Sequence, residues 1–171
     1  MPFILSGDEI RAWLKATPPL VEGLLDEEQQ IQPNGIDLTV KEIASFTSPG
    51  TLSYDNKARS LSHSSPLACD ELGAIHLTAG CYLVTYNEVV HLPRTMVAFG
   101  FPRSSLLRCG ATIHTAVWDA GYSGRSQSPL VVHNPTGLHL HINARITQLV
   151  FFHLGQEVGQ GYQGMFQGEN I

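Results

Sequence analysis

The chain has 171 residues, 43% of them apolar and 15% charged, with a formal net charge of −5. That length suits one unit over residues 1–171 with a sizeable core, and the composition excludes a disordered chain. The acidic balance, with no Lys/Arg run, speaks against a nucleic-acid binder, and no window nears the roughly 18 unbroken apolar residues of a membrane span.

Met1-Pro2-Phe3-Ile4-Leu5-Ser6-Gly7-Asp8-Glu9 lacks a basic start and meets acid at once, so it does not read as a signal peptide; a cytoplasmic location is expected. Ser6 and Glu9 form a capping box, Ile10, Trp13 and Leu14 share one helical face, and Pro18-Pro19 ends the segment. This predicts a short opening helix. The period then changes to two. Residues 36–40, 80–84, 96–99, 130–133 and 138–141 read as short strands, and the apolar run 145–154 as a buried central strand. Turn signals such as Pro33-Asn34-Gly35 and Asn134-Pro135-Thr136-Gly137 separate them. Many short strands predict a mainly β barrel or jelly roll. Residues 104–108 predict one helical turn inside it, and the polar, Ser-rich residues 53–73 an exposed insertion. Cys69, Cys81 and Cys109 are odd in number with no C-x-x-C spacing, so neither a disulfide framework nor a zinc site is expected.

Three stretches carry chemistry. In Phe101-Pro102-Arg103-Ser104-Ser105-Leu106-Leu107-Arg108, two serines open a helical turn between two arginines. Free amides, hydroxyls and guanidinium forks suit phosphate oxygens; the plain alternative is an ordinary helix cap with solvated arginines. In Thr115-Ala116-Val117-Trp118-Asp119-Ala120-Gly121-Tyr122-Ser123-Gly124, an acid sits between a tryptophan and a small-residue turn. Partial desolvation there would raise its pKa and suit it to general-base work, and Tyr122 could lay its ring on a sugar or base. The alternative is a simple hairpin with Asp in the turn. In Arg145-Ile146-Thr147-Gln148-Leu149, an amide on a core strand either positions a water or satisfies neighbouring backbone. His139 and His141 alternate onto one strand face, but no Cys, Asp or Glu at ligand spacing completes a metal site.

Taken together, these stretches resemble the dUTPase/dCTP deaminase superfamily, in the archaeal deaminase-like form. Gln32-Pro33-Asn34-Gly35-Ile36-Asp37-Leu38 resembles its first motif, residues 103–108 its phosphate motif, 115–124 its hairpin motif and 143–150 its R-I-x-Q-L motif. The tail Gly161-Tyr162-Gln163-Gly164-Met165-Phe166-Gln167-Gly168 is similar to archaeal tails, with Met165 where many members carry Lys. The glycine-rich fifth motif of ordinary trimeric dUTPases is missing.

The resemblance implies a distorted jelly-roll of the dUTPase-like β-clip type, assembled as a homotrimer or homohexamer with sites at subunit interfaces. It implies dUTP as substrate and Mg²⁺ carried by the triphosphate, with a water-mediated contact to Asp37. Arg103, Ser104, Ser105 and Arg108 would hold phosphates, Arg108 also serving the chemistry. Asp119 would activate the attacking water and Gln148 would help place it. Tyr122 would pack against the deoxyribose where a 2′-hydroxyl would clash. The backbone of Thr115, Ala116, Val117 and Trp118 would read the uracil edge, with Gln127 beside it and Tyr162 closing over the nucleotide. Deaminase members resemble one another in a glutamate about ten residues beyond the aspartate. Here Gln127-Ser128-Pro129-Leu130-Val131-Val132-His133 holds no acid, which favours a diphosphatase. The rival expectations are a dCTP deaminase, alone or combined with dUTPase activity, and a nucleotide-binding module without turnover.

Overall fold

A computed structural model describes residues 3–171; Met1 and Pro2, the start of the N-terminal stretch read above, lie outside it. Ser6 caps α1 (Gly7–Trp13) from both directions: its hydroxyl accepts from Glu9 N, and the Glu9 carboxylate accepts from Ser6 N at 2.8 Å. Ile10 is fully buried, which fixes the helix on the sheet. In chain order there follow β1 (Val21–Glu22), α2 (Glu27–Gln30), β2 (Ile31–Gln32), β3 (Gly35–Phe46), β4 (Ser64–Pro66), β5 (Ala74–Leu77) and β6 (Gly80–Tyr86). Next come β7 (Val89–His91), β8 (Met96–Pro102), α3 (Ser104–Arg108), β9 (Ala111–Ile113), β10 (Val117–Trp118) and β11 (Ser123–Gly124). The last strands are β12 (Gln127–Val132), β13 (Leu138–His141) and β14 (Arg145–His153).

The main sheet runs β10-β8-β14-β3-β6-β12-β9, with β2 and β4 also paired to β3. A second sheet is β1-β7-β11 and a third is the pair β13-β5. The paired strands are antiparallel throughout, and the main sheet curls into a half-barrel, the mainly β fold that the turn spacing predicts. Leu38, Val40, Ile43, Val84, Tyr86, Leu130 and Phe151 fill its interior without solvent exposure.

Four expectations change in detail. β14 is central, between β8 and β3, but its burial alternates; the strand buried nearly throughout its first half is β3, which carries Asp37. Residues 53–73 are largely exposed, yet Ser64–Pro66 add a strand to β3, since Pro66, Ser65 and Ser64 lie opposite Ala44, Ser45 and Phe46. β12 stops at Val132 and leaves His133 exposed beyond it. The stretch 115–124 is no self-paired hairpin: β10 pairs with β8 and β11 with β7, so its two arms belong to different sheets. Among the described residues no helix is long and apolar enough to cross a membrane.

Candidate functional site

The cradle expected to take phosphate forms where β8 ends. Pro102 closes the strand, and Arg103, in extended conformation, becomes the cap of α3 with no side-chain cap bond. Ser104 and Ser105 are therefore not spent on capping; both are exposed, as is Arg108, and none of the three side chains has a hydrogen-bond or ion-pair partner among the described residues. Leu106 points inward at 5% exposure and anchors the turn.

Behind this turn, Arg103 is held from two sides. Its Nε lies 3.0 Å from Asp37 Oδ2, and its Nη1 donates to Arg145 O at 3.3 Å. Asp37 is fully buried and also faces Arg145 Nη1 at 3.5 Å. Burial pushes its pKa up, opposed by the charges of Arg103 and Arg145. Its other oxygen, Oδ1, is buried with no partner. Gln148 sits on β14 between Asp37 and Phe101, and its Nε2 reaches Asn34 O only at 3.5 Å, the limit of a hydrogen bond. The amide is half-buried and has no shorter hydrogen bond among the described residues. Arg145, first in the R-I-x-Q-L motif, is a second cation at Asp37 that no local pattern singles out.

The second half of the site is the stretch 115–124. Thr115 Oγ1 donates to Gly100 O at 2.9 Å, and Val117 and Trp118 pair with Phe99 and Ala98. A Cβ on Gly100 would lie 2.7 Å from Thr115 Cγ2 and 3.0 Å from Trp118 Cζ3, so β8 needs glycine there. Trp118 is buried and donates from Nε1 to Ser126 Oγ at 3.0 Å. Ala116 and Val117 are exposed. The turn that follows closes with Tyr122 N donating to Asp119 O at 3.0 Å, with Gly121 at φ +85° in its third position, as a type II turn requires.

Asp119 is exposed, so the partial desolvation expected of it is absent in the single chain. Strand alternation explains this: Trp118 and Ala120 face the interior and leave Asp119 outward. It lines a cleft of ≈ 410 Å³ with Val97, Leu154, Val158, Gly161 and Tyr162. Tyr122 is only 5% exposed, and its hydroxyl donates to Glu169 Oε1 at 2.8 Å. Burial and that carboxylate push its pKa well above the ordinary phenol value. Tyr162 meets its ring edge-to-face, centroids 5.7 Å apart. Gln127 is exposed at the start of β12 and donates to Thr85 Oγ1 at 2.9 Å. Glu169 is a second residue that the sequence reading missed, since nothing local to the tail ties it to Tyr122.

The two halves do not meet within one chain. The register of β10 on β8 sets Asp119 level with Val97, whereas the cradle begins beyond Pro102. Five strand residues place them roughly 17 Å apart. Between them runs an outward face of Val97, Phe99, Phe101, Val117, Val150 and Phe152, with Phe99 and Phe101 at 37% and 53% exposure.

The profile of the dCTP deaminase-like family matches residues 4–154. The chain is 51% identical over 168 residues to a Methanococcoides burtonii protein named "Probable deoxyuridine 5'-triphosphate nucleotidohydrolase", covering 98% of this chain and 99% of that protein. A Methanosarcina mazei protein of the same name is 52% identical over 167 residues, 98% of each chain. A Methanocaldococcus jannaschii protein named "Deoxyuridine 5'-triphosphate nucleotidohydrolase" is 37% identical over 143 residues, 83% of this chain and 90% of that one. Among solved structures, the 2'-deoxycytidine 5'-triphosphate deaminase of Agrobacterium tumefaciens superposes with a TM-score of 0.68 at 23% identity. The match spans 90% of this chain and 48% of that chain, and it establishes the shared fold.

Proposed function

The chain belongs to the dCTP deaminase-like family, and from that premise we propose that it is a dUTP diphosphatase, converting dUTP and water into dUMP and pyrophosphate. One observation carries this reading. Asp119 stands exposed on the wall of a cleft, while β12, the strand that follows the same stretch, offers no carboxylate to shuttle a proton during deamination. The names of the near full-length archaeal relatives support it.

In-line displacement at phosphorus needs positioning and charge neutralisation more than covalent chemistry. Arg103, Ser104, Ser105 and Arg108 receive the triphosphate oxygens, with Asp37 and Arg145 fixing the Arg103 guanidinium. Asp119 accepts a proton from the attacking water, Gln148 helps place that water, and the α-phosphorus bond to the pyrophosphate oxygen breaks. The backbone of residues 115–118 reads the uracil edge with Gln127 nearby; Tyr122 packs on the deoxyribose and Tyr162 closes the cleft.

Among the described residues no cluster of three His, Cys, Asp or Glu side chains suits a resident metal. The unpartnered Asp37 Oδ1 suits one accepted hydrogen bond from a water of a metal that arrives with the triphosphate. Bound there, Mg²⁺ would neutralise charge on non-reacting phosphate oxygens.

The separation of Asp119 from the cradle leads to a shared site. A second copy of the chain, laid against the apolar face of β8, β10 and β14, would bring its Asp119 to the first copy's cradle and desolvate it. A homotrimer or homohexamer closes such a head-to-tail contact. Incubation with dUTP and with dCTP separately, with Mg²⁺, tests the function: dUMP and pyrophosphate from dUTP are expected. Ammonia released from dCTP would make the protein a deaminase, and unchanged dUTP would leave it a binding module.

A further inference from the structure

Residues 161–170 are laid along the turn that carries Asp119 and Tyr122. Tyr162 N donates to Ala120 O and Gly168 N to Ser123 O, each at 2.8 Å, and Arg125 N donates to Glu169 O at 2.9 Å. The Gln167 side chain bridges as well, accepting from Ser123 N and donating to Gly121 O, both at 3.1 Å. Two glycines let the segments approach: a Cβ on Gly121 would sit 2.7 Å from Gly161 Cα.

Within this contact one acid reaches the tyrosine. Tyr122 Oη donates to Glu169 Oε1 at 2.8 Å, and the pair meets where Gly124 has no side chain. A Cβ there would lie 2.6 Å from Tyr122 Oη and 3.2 Å from Glu169 Cγ. Tyr162 holds the ring from another side. A tyrosine has two side-chain torsions, and fixing its far end removes the freedom that packing leaves.

That matters because a wall refuses an extra hydroxyl only if it does not yield. A ring free to shift by a few tenths of an ångström admits the larger sugar, and discrimination by exclusion falls. We propose that Glu169 is a positioning residue for sugar discrimination, anchoring the Tyr122 hydroxyl so that the ring stands rigid where deoxyribose is received and ribose refused. This rests on the placement of the sugar against Tyr122 in the function proposed above.

The test compares kcat/KM for dUTP and UTP in the full chain. Wild-type protein comes first: failure to prefer dUTP overturns the function reading and this inference with it. Given that preference, Glu169→Ala is expected to lower the dUTP/UTP ratio about tenfold, chiefly through faster UTP turnover. Glu169→Gln, whose amide oxygen still accepts the hydrogen bond, keeps the ratio within about threefold. Tyr122→Phe removes the same bond from the other side and supplies the result should Glu169→Ala fail to fold. The double substitution Glu169→Ala/Tyr122→Phe is expected to do no more than either alone. An unchanged ratio in both single variants, or equal losses toward dUTP and UTP as from a general structural defect, would overturn the proposal while leaving the dUTPase reading intact.

Discussion

The guanidinium Nε of Arg103 lies 3.0 Å from Oδ2 of Asp37, a carboxylate without solvent exposure on the most buried strand of the sheet. Arg103 keeps 28% side-chain exposure, so the pair has one dry member and one that reaches the cradle. Such an arrangement aims the Arg103 guanidinium, the fork proposed to take phosphate, at the cost of burying a charge. Asp37→Asn keeps the shape and an acceptor for Nε, removes the buried charge, and loosens the aim. Activity should therefore suffer more than stability. The expected result is a fall in kcat/KM for dUTP of about 10–100-fold. Thermal unfolding should shift by less than about 4 °C, the scale of roughly 1 kcal/mol in a chain of this size. Steady-state kinetics beside a thermal melt decide it; undiminished kcat/KM would remove Asp37 from the positioning of Arg103.

Asp119→Asn separates chemistry from folding more sharply. The side chain is exposed in the single chain, so its loss should leave the stability of the fold within about 0.5 kcal/mol. Loss of a general base costs roughly 10²–10⁴-fold in rate. Pyrophosphate release should fall by that factor while calorimetric binding of dUTP persists. Full activity in the variant would take Asp119 out of the mechanism.

What the sequence discloses and what it hides divides along chain separation. The capping box of Ser6 and Glu9 and the turn at residues 104–108 are local, and both stand where their residues predict them. Strand positions follow from alternation, as in β13, whose ends match the alternating run 138–141. Strand partners do not: nothing in residues 115–124 tells that β10 joins β8 while β11 joins β7. The burial of Asp37 against Arg103, and the reach of Glu169 across 47 residues to Tyr122, likewise depend on tertiary packing. The exposure of Asp119 is hidden in the same way: its neighbours Trp118 and Ala120 are apolar, but they point the other way.

The roughly 17 Å between Asp119 and the cradle gives the shared site a direct test. Asp119→Asn and Arg108→Ala each disable a different half. If each site takes its acid from one copy and its cradle from the next, random reassembly of the two inactive variants restores intact sites. Equal mixing gives about one site in four with both halves native, because each half is drawn independently from copies in a closed ring. The mixture should recover up to about a quarter of wild-type dUTP hydrolysis after the chains are dissociated and reassembled together. No recovery, in a mixture shown to have exchanged subunits, would mean that the site does not draw its two halves from neighbouring copies.

Glu88 supplies a pH dependence whose sign is fixed by its surroundings. The carboxylate is fully buried, accepting from Gln30 Nε2 at 2.7 Å, from Thr39 Oγ1 at 2.6 Å and from Thr39 N at 2.9 Å. Gln30 Nε2 in turn donates to Asp37 O, so the network braces the strand under the cradle. Burial raises the Glu88 pKa above the ordinary 4.5, and the hydrogen bonds from Thr39 and Gln30 only partly oppose this. Between 4.5 and the raised value the folded chain therefore holds a proton that the unfolded chain has released. Stability from this group is fully present below 4.5 and declines as pH rises through the folded pKa. Glu88→Gln removes that titration but leaves Asp37 and Glu169, whose pKa values burial also raises, in both proteins. Urea unfolding of the two proteins at a series of pH values from acid to neutral isolates the difference. The stability of wild type relative to Glu88→Gln should be highest at the acid end and fall as pH rises; a flat or rising difference would mean that the folded chain does not hold the Glu88 proton more tightly than the unfolded one.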